Sequence, residues 1–354
     1  MKRIAIIGTV GIPASYGGFE TLVENLTKFS SRELKYHVFC STKHYHVKKN
    51  EHNGAELIYV PFKANGVQSI IYDIFSMIYS IFLKPDVVLI LGVSGCIFLP
   101  FLSLFTKAKI ITNIDGLEWR RAKWSWPVKR FLKLSERIAV NFSDLIITDN
   151  QAIFEYVSKE YKKDSIVIAY GGDHAWVKPV NDIKHVGSGC DYYLSLCRIE
   201  PENNVEMILE SFKESGFRLK FVGNWNNSDF GKKMLLSYKD VKNIELIEPV
   251  YNLNELFILR NNCKGYIHGH SAGGTNPSLV EAMHFSKPIF AFDCDFNRYT
   301  TEDSAYYFDS TKSLHRCIAL FEKLPSDNSG DVMKMIANRK YTWNIIAKMY
   351  ERCY

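Results

Sequence analysis

His268-Gly269-His270-Ser271-Ala272-Gly273-Gly274-Thr275-Asn276-Pro277-Ser278-Leu279-Val280-Glu281-Ala282-Met283 is the stretch that decides how this chain folds. The short run Gly265–His268 ahead of it predicts a strand. Small residues then turn the chain. Pro277 fits the first position of a helix, which places Glu281 one turn in. Free backbone N–H groups at a helix start suit a phosphate, and a carboxylate at Glu281 can accept hydrogen bonds from a sugar hydroxyl. His268 and His270 stand two apart, so on a strand they point to opposite faces. With no third ligand evident, a metal site is rejected.

The same strand–turn–helix pattern repeats outward in both directions. Around this stretch lie apolar runs at Tyr192–Cys197, Leu219–Val222, Ile244–Ile247 and Pro288–Phe292. Earlier in the chain they are Ile4–Ile7, Val87–Leu91, Lys109–Thr112, Leu145–Thr148 and Ile166–Ala169, separated by amphipathic segments such as Phe19–Ser31 and Trp124–Phe142. Continuous apolar strands joined by helical crossovers predict an α/β protein with parallel sheets covered on both faces. The pattern pauses where Gly171-Gly172, Pro179 and Gly187-Ser188-Gly189 cluster, which reads as a linker. The expectation is two Rossmann-like domains facing across a cleft, residues 1–172 and 189–331, joined by 173–188. A long last helix, within 332–354, should pack back on the first domain. Ligands of such sheets bind beyond the carboxyl ends of the strands.

A length of 354 residues suits two such cores, and 47% hydrophobic with 23% charged residues is a globular balance. The eight cysteines form no C-x-x-C pair, so neither a zinc site nor a disulfide framework is expected, and reduced thiols suit a cytosolic chain. Val87–Phe105 carries no charge, but Gly92, Ser94, Gly95 and Pro100 break it into a strand, a turn and a short helix rather than a membrane span. Residues 1–175 hold 22 Lys and Arg against 16 Asp and Glu, whereas 176–354 hold 22 of each. A basic first half points to an anionic surface or substrate. No recognition motif supports nucleic acid, and an anionic lipid surface fits better.

Four further segments could carry chemistry. After the first strand, Gly8 to Glu20 includes Gly17 and Gly18, where backbone N–H groups could meet a phosphate, although the glycines equally serve a plain tight turn. The dinucleotide fingerprint G-x-G-x-x-G is absent. Ile111 to Arg121 places Asp115 and Glu118 at the end of a strand, where a carboxylate can take a proton from a hydroxyl. There Trp119 offers a face to a sugar ring, beside Arg120; a helix cap with exposed charges would look the same. Trp124-Ser125-Trp126-Pro127-Val128-Lys129-Arg130-Phe131-Leu132-Lys133, with Arg120, Arg121 and Lys123, mixes aromatics with cations, as membrane-docking segments do and as solvated helices with one core tryptophan also do. Arg198 to Asn204 puts an Arg where it could pair with a diphosphate.

Together these motifs, in this order, resemble the retaining glycosyltransferases of family 4, of GT-B fold, over nearly the whole chain. The resemblance implies that Glu281 matches the second Glu of the family's Glu-x7-Glu helix start and grips the nucleotide ribose. The first Glu falls at Gly273, so that carboxylate is missing, and Gly274 and Thr275 would contact the sugar through backbone N–H groups. Arg198 matches the diphosphate-binding Arg, while Asn203 stands where the family has Lys. Phe221-Val222-Gly223-Asn224 is similar to the family's turn near the nucleotide, and Asp115 lies where many members carry His. The donor site implied comprises Gly17, Gly18, Arg198, Asn203, Gly223, Asn224, His270, Gly273, Gly274, Thr275, Asn276, Pro277, Ser278 and Glu281. Catalysis would fall to Asp115, Glu118 and Arg198, and the acceptor to Glu20, Trp119 and Arg120. The combination is similar to bacterial polysaccharide rhamnosyltransferases. That implies dTDP-rhamnose as donor, a polyprenyl-diphosphate-linked acceptor, no metal or other cofactor, and work at the cytoplasmic face of the inner membrane.

Overall fold

The computed structural model describes residues 1–14, 17–121, 124–176, 191–324 and 328–354. The chain divides into two compact units, one of Met1–Tyr170 with Trp343–Tyr354 and one of Gly171–Thr342.

The first unit is built on an eight-stranded sheet. Its strands are β1 (Lys2–Ile7), β2 (Leu34–Ser41), β3 (Glu51–His52), β4 (Ala55–Val60), β5 (Val87–Leu91), β6 (Lys109–Asn113), β7 (Leu145–Thr148) and β8 (Ile166–Val167), in the order β3-β4-β2-β1-β5-β6-β7-β8. Every pairing is parallel except the short β3–β4 hairpin. Val87–Leu91 is buried along its whole length, as a central strand covered on both faces requires. The crossovers are α1 (Gly18–Lys28), α2 (Gln68–Leu83), α3 (Leu99–Phe105), α4 (Trp126–Phe142) and α5 (Gln151–Tyr161). The uncharged run Val87–Phe105 is thus a strand, a turn and a short helix. Among the described residues no helix is long and apolar enough to cross a membrane.

The second unit has six parallel strands: β9 (Tyr193–Leu196), β10 (Leu219–Val222), β11 (Ile244–Ile247), β12 (Tyr266–His268), β13 (Ile289–Phe292) and β14 (Tyr306–Phe308). Its order is β11-β10-β9-β12-β13-β14. Counted within the unit this is 3-2-1-4-5-6, the doubly wound dinucleotide-binding arrangement, whose switch point lies between its first and fourth strands. The helices are α6 (Val205–Ser215), α7 (Asp229–Tyr238), α8 (Leu253–Asn261), α9 (Pro277–Met283), α10 (Asp295–Thr301), α11 (Thr311–Phe321) and α12 (Ser329–Lys340). Tyr193, Phe212, Phe221, Trp225 and Phe290 form the core under the sheet.

The segment 332–354 is two helices rather than one. After α12, a break at Tyr341-Thr342 leads to α13 (Trp343–Cys353), which is counted with the first unit. The Tyr350 hydroxyl accepts from Asn113 Nδ2 at 2.7 Å, and Lys109 Nζ and Lys2 Nζ donate to the carbonyls of Cys353 and Tyr354 at 2.6 and 2.8 Å. Of the expected linker, 173–176 lie in the second unit, Asp173–Ala175 forming a short 3-10 turn; 177–188 lie outside the described residues, as do Lys123 of the basic segment and Cys190.

Candidate functional site

Because all strands but the short β3 run parallel within their sheets, the loops after them gather along one edge of each. In the second unit the loops after β9 and β12 flank the switch point. Hydrogen bonds fasten them together. Asn203, 3% exposed, donates to the Arg198 carbonyl at 2.6 Å and accepts from His270 Nδ1 at 2.8 Å. Asn204 donates to the Gly269 carbonyl at 2.8 Å, and the Ser271 N–H and hydroxyl both donate to the Glu202 carbonyl. A Cβ at Gly269 would stand 2.1 Å from the Asn203 carbonyl oxygen, so only glycine lets the two loops approach this closely. Asn203 thus serves as a tie where the family resemblance places a cation.

Arg198 is held differently. Its guanidinium is 42% exposed and pairs loosely with Glu200 at 3.7 Å. Gly223 closes the loop after β10 beneath it: a Cβ there would meet Ile199 Cδ1 at 2.4 Å and the Cys197 carbonyl oxygen at 2.8 Å. Asn224 next to it is exposed. In the glycine turn Gly273 adopts φ 108°, Gly274 and Thr275 are buried, and Asn276 caps α9 by accepting from the Ser278 N–H and hydroxyl at 3.0 and 2.8 Å. Pro277 follows at the first helical position, as the sequence predicts.

Glu281 projects from α9 into a pair of partners that sequence reasoning missed. Arg260 of α8, 3% exposed, donates through a terminal guanidinium nitrogen to Glu281 Oε2, and His174 Nε2 lies 3.3 Å from Oε1. Burial alone would push the Glu281 carboxyl up, but the Arg260 charge and the His174 hydrogen bond outweigh it and hold the group below the usual carboxylate range. His174 reaches α9 because Gly172, whose Cβ would lie 2.6 Å from the Val280 carbonyl carbon, lets the chain run against that helix. Phe257, Phe285 and Trp176 pack beside this group. No motif joins Arg260 and His174 to Glu281 in sequence. The one signal is a lone Arg closing the apolar run Leu256-Phe257-Ile258-Leu259.

His268, at the end of β12, is 2% exposed and its Nε2 has no hydrogen-bond partner. Burial pushes its imidazole down to about 3, so it is neutral and stacks on Tyr266 with centroids 6.1 Å apart.

In the first unit the expected residues fall into two groups. Gly17, at φ 130°, precedes Gly18 at the start of α1, and a Cβ at Gly17 would collide with the Glu20 carboxylate. Glu20 is 8% exposed and turns back to accept from Val10 N–H at 2.7 Å and Thr9 Oγ1 at 3.1 Å. Its bonds therefore brace the loop after β1. The second group follows β6. Asp115 sits at φ 56°, its N–H bonded to Asn113 Oδ1 at 2.9 Å, with the Tyr170 hydroxyl 3.5 Å from Oδ1. Both Glu118 oxygens are engaged, one by Trp124 Nε1 at 2.9 Å and one by Arg121 Nε at 3.1 Å. Trp119 donates to buried Glu136 at 3.0 Å and lies under the guanidinium of Arg120 at 5.1 Å. In the basic segment Arg130 stacks on the exposed Trp126 ring at 4.2 Å. Among the described residues no group of three His, Cys, Asp or Glu could hold a metal.

Residues 184–341 match the family model described as glycosyl transferases group 1, and residues 1–173 match a domain of unknown function (DUF1972). A search of curated proteins gives no match. Among solved structures, sucrose-phosphate synthase from Thermosynechococcus elongatus has a TM-score of 0.84 at 12% identity, covering 100% of this chain and 98% of that one. The Anabaena protein HepE in complex with UDP has a TM-score of 0.77 at 12% identity, covering 100% and 99%. The catalytic domain of starch synthase IV from Arabidopsis thaliana, bound to ADP and acarbose, has 0.70 at 11% identity, covering 99% and 98%. The chain thus has the α/β fold of the GT-B glycosyltransferases, and its residues 184–341 are similar to the glycosyl transferases group 1.

Proposed function

We propose that this chain is a retaining glycosyltransferase that binds a nucleotide-sugar through its second unit and an acceptor through its first. The donor in this reading is dTDP-rhamnose, and the acceptor is a saccharide carried on a polyprenyl diphosphate. The work takes place at the inner face of the cell membrane, in assembly of a capsule, O-antigen or cell-wall polysaccharide. The supporting observation is the switch point of the second sheet. There a loosely paired guanidinium, Arg198, stands on a loop fixed by the buried Asn203–His270 bond. A fixed loop presenting an available cation suits a departing diphosphate, because no reorganisation is needed as charge develops. Glu281, kept ionised by Arg260 and His174, suits the ribose hydroxyls as an acceptor of hydrogen bonds. Asn203 adds no charge, so Arg198 carries the electrostatic role in this reading.

On the acceptor side we assign Asp115 the task of orienting the attacking hydroxyl. The oxygens of Glu118 are engaged by Trp124 and Arg121, which suits a brace for the loop carrying Trp119 and Arg120. A second donor class has an observation in its favour, since Anabaena HepE is solved with UDP-glucose. Incubation with labelled dTDP-rhamnose and a lipid-diphosphate saccharide should yield labelled lipid. A thermal-shift panel of dTDP-rhamnose, UDP-glucose and GDP-mannose should give its largest shift with the first. A larger shift with UDP-glucose moves the reading to a UDP-hexose. Conversion of the donor to its epimeric sugar with no acceptor present would instead indicate an epimerase-type activity.

A further inference from the structure

Helix α2 is turned inside out. The side it presses on the sheet carries Asp73, Ser76 and Ser80, which are 4%, 0% and 1% exposed, alongside Tyr72 and Met77. Its solvent side carries Ile71, Phe75 and Phe82 at helical spacing, 53%, 42% and 77% exposed. No charged side chain lies on that outer face, Asp73 being the one Asp, Glu, Lys, Arg or His from Gln68 to Leu83. Helix α3, which packs on α2, continues the pattern with Phe101, Leu104 and Phe105, 58%, 77% and 67% exposed. Scattered exposed apolar residues need no explanation, but two neighbouring helices that both turn their large side chains outward mark an interaction surface.

The surroundings of this face select its partner. Lys63 precedes α2, Lys84 ends it and Lys107 follows α3, and all three are exposed. The next helix, α4, adds exposed Arg130 and Arg137 on its outer side. We propose that the outer face of α2 and α3 is a membrane-docking surface that sinks into an anionic phospholipid leaflet, with these cations at headgroup level. An apolar strip rimmed by Lys and Arg is complementary to acyl chains beneath anionic headgroups. A second copy fits less well, because an isologous contact would bring the same cations together. Spanning is excluded by length. The 16 residues of α2 reach about 24 Å, short of the hydrocarbon thickness, and Tyr72, Asp73, Ser76, Met77 and Ser80 are buried within the first unit. The inference deepens the proposed function, since it brings the first unit to a lipid-linked acceptor.

The test is flotation of the full chain with vesicles of phosphatidylglycerol and phosphatidylcholine, against phosphatidylcholine alone. The chain should float with the anionic vesicles. Replacing Phe82 and Leu104 together by Gln should cut partition by about a hundredfold or more, with melting temperature and nucleotide affinity unchanged because both side chains are exposed. Replacing Lys63, Lys84 and Lys107 by Gln should cost about fivefold per charge on anionic vesicles and nothing on neutral ones. Failure of the wild-type chain to float, or flotation of the Gln variant at the wild-type level, overturns the proposal. So does a wild-type dimer in sedimentation that the Phe82 and Leu104 changes dissolve without affecting vesicles. Transfer to a detergent-solubilised acceptor, run on the same samples, separates the two readings. Transfer without flotation sinks the docking face alone, and flotation without transfer sinks the enzymatic reading alone.

Discussion

Replacing Arg260 by Leu removes the strongest partner of Glu281 and leaves the carboxylate with His174. Breaking one half of a buried ion pair costs about 3–5 kcal/mol. The lower end applies here, because the Glu281 side chain is 16% exposed and keeps the His174 contact. For a unit of this size, a loss of about 3 kcal/mol lowers the melting midpoint by roughly 6–12 °C. The pH dependence is the sharper signature. In the wild-type chain the Glu281 carboxyl is held below its ordinary range. Its stabilising contribution is therefore full above the unfolded carboxylate value and fades as pH falls through the folded one. Without Arg260, burial dominates and the folded carboxyl moves above its ordinary range. The variant is then least stable at neutral pH and above, and regains part of the loss on acidification, so the two stability curves converge toward low pH. Urea denaturation of both proteins from pH 5 to 8 measures this. Adding Glu281→Gln to Arg260→Leu should recover much of the loss, as groups in direct contact are coupled. A penalty below about 1 kcal/mol, or one that stays constant across that range, would refute the claim that Arg260 keeps Glu281 charged.

Three further outcomes are expected. Arg198→Ala should lower transfer by on the order of 10²-fold in kcat with little change in melting temperature, because the side chain is half-exposed; an unaltered single-turnover rate removes it from the leaving-group site. Gly269→Ala should abolish nucleotide-sugar binding measured by calorimetry, since the added methyl carbon falls 2.1 Å from the Asn203 oxygen and must part the loops; wild-type affinity would show that the approach is not needed. His268, pushed down to about 3, should show no titration by NMR from pH 5 to 8. Its contribution to stability is complete above the ordinary histidine value and declines as pH falls toward 3, and a midpoint near 6.5 would contradict its burial.

The alternation of short apolar strands with longer helices was enough to read the α/β class, and the strand ends at Val222 and His268 were legible because each run stops at a glycine, whereas the run to Cys197 overshot β9 by one residue. The outer part of the first sheet was harder to see. The strands Leu34–Ser41 and Ala55–Val60 carry Lys35, His37 and Glu56, and in the second sheet β14 is the three residues Tyr306–Phe308, too short for any period to emerge. In the candidate site, Arg198, Asn203 and His270 could be named from their loops, but their joining is a contact between residues about seventy positions apart. Arg260 and His174 announce nothing locally, because what singles them out is a carboxylate that only the folded chain brings near. The inverted helix α2 escaped for the opposite reason. Its run of Ile, Phe and Tyr reads as ordinary core, and hydrophobicity alone does not say which side of a helix faces water.

The first unit takes its closing piece from Trp343–Tyr354, about 170 residues further along the polypeptide. Trp343, Ile346, Ala347 and Tyr350 of α13 are all 2% exposed or less, so residues 1–170 made alone would lack a part of their own interior. On the ribosome the earlier-synthesised half must therefore wait, incompletely packed, while about 170 further residues are polymerised. A stall or nonsense mutation ahead of residue 343 would damage the portion translated first.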